Sequence, residues 1–155
     1  IVDLKLLTAD DAATVFKRFY GDAVQADLLP RGLDYAMTDF AVNSGPTRAA
    51  HHLQRILGVA DDGHIGPATL AAVAKRPPAE LIEALHQSRL RFLRNLKTWP
   101  TFGKGWQARV DDVRKHALDD ADDLIFADPG ITPKVSGPGF WASLLIALMG
   151  IVKGR

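Results

Sequence analysis

The chain has 155 residues, enough for one domain of ordinary size. Hydrophobic residues at 47% and charged residues at 24% exclude a disordered or fibrous chain. With 19 basic against 18 acidic side chains the net charge is +1, so no whole-chain field draws in nucleic acid, and zero cysteines exclude disulfides, thiolate catalysis and thiolate metal sites together.

Thr8 followed by Asp11 reads as a helix start, and Ala12, Val15, Phe16 and Phe19 then recur at helical spacing, which predicts a helix over about 9–20. Pro30-Arg31-Gly32 punctuates the chain. Leu33, Ala36, Met37, Phe40 and Ala41 follow as an apolar helix that Asn43-Ser44-Gly45 stops. Pro46 suits a first helical turn and Gly58 a C-cap, so a third helix is expected over about 46–57. Asp61-Asp62-Gly63-His64-Ile65-Gly66 is turn chemistry, and Pro67 opens a short helix to Val73. From residue 79 to 96 leucines and Ile82 keep helical spacing, with Arg89, Arg91 and Arg94 expected on the remaining surface. The 98–103 stretch is expected to break the chain before a last helix marked by Trp106, Val110, Val113 and Ala117. No segment alternates with period two, so the fold class is mostly α, a single helical domain over 1–125. Residues 126–155 read as a flexible linker and an apolar terminal segment.

Within that segment, 140–152 is an apolar run of 13 residues, below the roughly 20 needed to span a bilayer. Phe140 and Trp141 lead it and Lys153 and Arg155 follow it, flanks that suit either a membrane interface or docking on the domain itself. Ile1-Val2-Asp3-Leu4 carries no secretory signal, and the chain reads as a piece of something longer.

Three segments, 39–45 (DFAVNSG), 57–70 (LGVADDGHIGPATL) and 101–106 (TFGKGW) followed by Arg109 and Val110, resemble glycoside hydrolase family 108 in order and spacing. The resemblance runs from about Leu6 to Asp123. It implies a lysozyme-like fold and an N-acetylmuramidase that cleaves β-1,4 links of peptidoglycan, working in the periplasm or cell envelope or delivered to the wall by a phage. It also implies a catalytic glutamate before paired glycines, upstream of the first helix here and therefore ahead of Ile1. The 61–69 stretch further resembles the turn of small peptidoglycan-binding modules. Against the enzyme stand two alternatives, a non-catalytic peptidoglycan-binding module and an accessory of protein export or phage lysis.

Glycoside hydrolysis needs a carboxylic acid at the leaving oxygen and often a second carboxylate. The only glutamates, Glu80 and Glu83, stand at a helix start, where a solvated first turn is the expected role, so whether the chain is an enzyme by itself stays open. Asp39, inside an apolar helix, is the one auxiliary catalytic candidate, against a structural role at a buried helix junction. Asn43 offers a donor and acceptors for a sugar amide, or simply caps its helix. Asp62 and His64 are substrate-binding candidates in the turn. With Asp61 they could be read as metal ligands, but they lack a matching distant pair, so no metal and no cofactor is expected. His51 and His52, being adjacent, point to different sides of a helix. Trp106, with Trp99 and Phe102, offers a wall for a sugar ring or a plug between the last helices.

Overall fold

The computed structural model describes residues 9–122, with burial and side chains from residue 11, so the expected boundary at 125, the tail 126–155 and the Thr8 cap lie outside the described residues. Six α-helices and no strand make up the described residues, so the fold is mostly α. Helix α1 spans Ala9–Phe16 and runs into a π-helical turn, Lys17–Gly21, where the apolar spacing predicts one continuous helix to residue 20. Lys17 Nζ fastens that turn to Asp22 at 2.6 Å and to Asp27 at 2.7 Å. Two 3-10 turns, Asp22–Val24 and Ala26–Leu28, carry the chain to α2, Leu33–Ser44.

Helix α2 is the axis of the molecule. Its residues Leu33, Ala36, Met37, Phe40 and Ala41 are all buried, as are the polar Asp34, Thr38 and Asp39. Such a helix must be surrounded, and α3 (Pro46–Leu57), α5 (Pro78–Arg94) and α6 (Trp99–Asp122) all pack against it. At about 1.5–3 kcal/mol for each large side chain removed from water, this one helix carries a large share of the apolar stabilisation. Gly32 opens α2 at φ +82, and Gly45 closes it at φ +95. Because Gly45 is also the residue before α3, the two helices turn about one glycine with no loop between them.

Helix α3 ends at Gly58 in the left-handed region, as its spacing and glycine predict, and α4 occupies Pro67–Val73. Two expectations need correction. The last helix begins at Trp99, since the 98–103 stretch forms its first turns instead of a break. Pro100 falls in the opening turn, where a missing N–H costs nothing. Gly103 is tolerated because the Trp99 indole folds across it: a Cβ on Gly103 would stand 2.5 Å from the ring. Arg89 lies not on the surface but in the interior, 3% exposed.

One contiguous core joins residues of all six α-helices, from Ala13 through Phe40, Leu53, Val73 and Leu85 to Ala121. A smaller cluster of Leu90, Leu93 and Val110 holds α5 to α6, with Trp99 and Trp106 packed against it.

Asp34 titrates in this interior. Burial raises its carboxyl from the ordinary 3.8 to about 6, Asp120 adds to the rise, and the amides of Tyr35 and Gly32 and the Arg31 charge pull the other way. The folded protein therefore holds a proton that the unfolded chain releases between pH 4 and 6. Stability tied to Asp34 is full below the unfolded value and is lost as pH rises through 6, by about 3 kcal/mol. Asp34→Asn keeps the acceptor for the Tyr35 N–H, 2.7 Å away, and removes the titration. In denaturant melts at pH 4 and pH 8, the variant should gain about 2–3 kcal/mol on the parent between the two. A difference that does not move with pH would show that this carboxyl is not held protonated.

Candidate functional site

An open groove follows the outer face of α3. Arg48, His51, His52 and Arg55 fall at i, i+3, i+4 and i+7, one face of a helix, and the apolar residues between them hold α3 to α2 and α5. These four side chains, with Ser44 and Gly45 from the end of α2, Pro46, Thr47 and Phe92 of α5, line a groove of about 430 Å³. None of the nine lining residues is acidic.

The two histidines do diverge, and the groove is wide enough to meet both. His52 leans inward: its ring lies edge-on to Phe40 at 5.0 Å and to Phe92 at 5.7 Å, and its Nδ1 is 2.8 Å from Ser88 Oγ. Burial lowers its pKa, and Arg55, Arg48 and His51 lower it further, so His52 is neutral at neutral pH. His51 leans the other way and pairs with Asp61, whose second oxygen accepts from Arg55 Nε at 2.6 Å. The His51 hydrogen bond, and then Arg55, hold the Asp61 carboxyl below the usual range. Arg48 packs its guanidinium over the Phe92 ring at 4.7 Å and donates from Nη1 to Ser44 O at 3.1 Å.

The 61–66 loop lies outside the groove lining, packed against the α3 side chains Thr47 and His51, and its shape is set from within by a residue that no sequence motif singles out. Gln54 is 1% exposed. Its Nε2 donates to Asp62 Oδ1 at 2.7 Å and His64 O at 2.8 Å, and its Oε1 accepts from Gly63 N at 2.9 Å. Asp62 Oδ1 also accepts from His64 N at 2.9 Å, an Asx turn; the Gln54 bond foremost holds that carboxyl below its usual range. Gly63, at φ +77, lies so close to α3 that a Cβ would meet Thr47 Cγ2 at 2.8 Å and His51 Nε2 at 2.9 Å. The loop is thus pressed onto the side chains that line the groove. Among the described residues no group of three or more His, Asp or Glu side chains is placed to hold a metal ion.

The site residues read from sequence do not gather in one place. Asn43 is exposed one residue before the lining and accepts from Ser44 Oγ at 3.2 Å. Asp62 and His64 lie in the loop behind His51. Trp106 is on α6, its ring 5.7 Å from the half-exposed Phe102 and 6.4 Å from Trp99, so these aromatics form one patch with the smaller core beneath it. Asp39 is 1% exposed between two arginines. Arg89 Nη1 donates to its Oδ2 at 2.7 Å, while Arg109 reaches its Oδ1 through Nε at 3.0 Å and also through Nη2. Its partners are side chains of α5 and α6, where the sequence suggests local backbone amides. The two glutamates are likewise engaged and not simply solvated. Glu80 pairs with Arg76; Glu83 accepts from Arg114 Nε at 2.8 Å, and that guanidinium keeps its carboxyl low.

Residues 2–45 match the family described as Glycosyl hydrolase 108, and residues 48–111 match one described as Predicted Peptidoglycan domain. The solved structure of Brucella abortus SagA is similar at 44% identity and a TM-score of 0.74, over 79% of this chain and 71% of that one. The chain belongs to glycosyl hydrolase family 108. No curated protein sequence matches it. As a family 108 protein with a peptidoglycan domain, it has a lysozyme-like function directed at peptidoglycan and hence at the cell wall. The groove lies where the two family matches meet, with Ser44 and Gly45 ending the first and Arg48 beginning the second.

Proposed function

We propose that residues 9–122 form the wall-engaging body of an N-acetylmuramidase that hydrolyses β-1,4 bonds of peptidoglycan in the bacterial envelope, and that the proton-donating acid comes from outside these residues. The observation that carries this reading is the state of the carboxyls around α2, α3 and α5. Asp39, Asp61, Glu80 and Glu83 are each paired with arginine, and Asp62 is held by Gln54 and its own turn. A general acid needs the opposite surroundings, ones that keep the proton on until the leaving oxygen takes it. Asp34 of α2 does keep its proton, but it is 4% exposed and so shut away from a glycan strand. The family resemblance supplies the general acid as a glutamate ahead of α1. Two further contacts with the glycan fit this assignment: Asn43 beside the groove, with an amide matched to N-acetyl groups, and the Trp106 and Phe102 rings as a stacking face.

The test compares residues 1–155 with a longer form carrying the family's upstream glutamate. Residues 1–155 should co-sediment with purified insoluble peptidoglycan yet release no reducing sugar, and the longer form should do both, since loss of a general acid typically costs about 100- to 10,000-fold. Robust release of sugar by residues 1–155 would refute the division of labour. Binding without hydrolysis by both forms would favour the second reading, a non-catalytic peptidoglycan-binding module, to which the same paired carboxyls also point.

A further inference from the structure

Nothing above assigns a ligand to the groove on α3. Peptidoglycan has two parts with different chemistry: a glycan strand that is uncharged once its lactyl groups are amide-linked, and peptide stems that bear carboxylates. A groove built to follow the glycan would be lined by amides, hydroxyls and flat rings. This one presents two guanidiniums and two imidazoles and no acid.

The charges are not equivalent. Arg55 is already matched by Asp61, which also engages His51, and His52 is neutral. Arg48 differs. It is exposed, it lines the groove, and among the described residues its partners are the Phe92 ring and the Ser44 carbonyl, neither of which carries charge. The carbonyl bond occupies one of five guanidinium donors, and together with the Phe92 contact it holds the group at the groove. A planar, pre-oriented guanidinium with spare donors and no counter-charge is the arrangement that recognises a carboxylate bidentately. We propose that the groove is a subsite for a stem-peptide carboxylate of peptidoglycan, with Arg48 as its anchor and Thr47, Ser44 and His52 as neutral polar neighbours. The proposal rests on the peptidoglycan-directed reading and adds the part of the polymer that this face reads.

The experiment uses residues 1–155 and two soluble probes measured by calorimetry: the disaccharide of N-acetylglucosamine and N-acetylmuramic acid with its lactyl carboxyl capped as a methylamide, and the same disaccharide bearing a tetrapeptide stem on that carboxyl. Arg48→Gln removes the charge and the fork, and circular dichroism should show an unchanged fold because the side chain is exposed. Arg48→Lys restores the charge without the fork. The parent should bind the stem-bearing probe more tightly than the bare disaccharide, with an advantage that shrinks as salt is raised. Arg48→Gln should weaken the stem-bearing probe by about tenfold or more and leave the bare disaccharide unchanged, with Arg48→Lys in between. Amidating the stem carboxylates should reproduce the loss on the parent.

Equal affinity of parent and Arg48→Gln for the stem-bearing probe would overturn the assignment, and so would equal losses on both probes. In either case binding of the parent to insoluble peptidoglycan would persist, and the broader function would stand. A parent that binds neither probe and no insoluble peptidoglycan would refute that function and this subsite together.

Discussion

Asp39→Asn should lower the unfolding free energy by about 3–5 kcal/mol, the cost typical of removing one partner from a buried ion pair. The reason lies in what stays behind. Arg89 is 3% exposed, and its Nε has no hydrogen-bond partner, so Asp39 is its counter-charge. Its other neighbour is the Phe40 ring, 5.0 Å from the guanidinium. Arg109 is also largely buried; desolvation disfavours its charge, and the Asp39 hydrogen bond and charge, with Tyr35 and Asp112, together more than restore it. An amide keeps the shape and one acceptor but leaves the buried Arg89 without its counter-charge and facing Arg109. Against a typical total of about 5–15 kcal/mol, the loss should be plain in urea or guanidinium melts. A change under about 1 kcal/mol would mean that water or a shift of α6 solvates the pair. The same variant in the longer form addresses the auxiliary catalytic proposal for Asp39. At a temperature where it remains folded, unaltered activity per folded molecule leaves Asp39 a purely structural junction of α2, α5 and α6.

Gly32→Ala should be comparably severe through a different cause. The added Cβ would lie 2.1 Å from the carbonyl oxygen of Ala117 and 3.0 Å from Ile82 Cδ1, at a φ of +82 that L residues rarely adopt. Neither obstacle is a flexible side-chain end: one is the backbone of α6 and the other belongs to a side chain 1% exposed. Relief requires α2 and α6 to part, which opens the core where Ala117 and Leu33 are fully buried. Gly58→Ala provides the control, since Gly58 has φ +69 but nothing within 4 Å of the place its new methyl would take. The control should lose about 1–2 kcal/mol for backbone strain alone, and Gly32→Ala at least about 2 kcal/mol more. Equal losses in thermal or denaturant melts would show that α6 yields without cost.

The helical architecture was legible because its signals are local. Pro46 and Gly58 bracket α3, and Pro67 starts α4, so their ends follow from chemistry confined to a few residues. The start of α6 was not legible, since Pro100 and Gly103 look like breakers until the Trp99 ring is seen lying over Gly103. Arg89 shows a signal passed over: it continues the Ile82, Leu85, Leu93 face of α5, so by spacing it points inward. A lone base on one core face and a lone acid, Asp39, on another call for each other. The groove is a mixed case. Its basic face on α3 can be read by counting residues, but Phe92 and Ser44 arrive from other helices, and only tertiary packing supplies them.

The glycine hinge between α2 and α3 bears on how such proteins can be recombined. Two family descriptions divide the chain between residues 45 and 48, which invites cutting there and joining the second part to a different hydrolase. Physically that seam passes through the core, because α2 on one side is clad by α3, α5 and α6 on the other. A hybrid made at this seam inherits a socket shaped for Leu33, Met37 and Phe40, with Arg89 and Arg109 waiting at its floor for a carboxylate. Any donor helix must bring both the apolar shape and the acid, so the two parts can be exchanged between lineages only as a matched set.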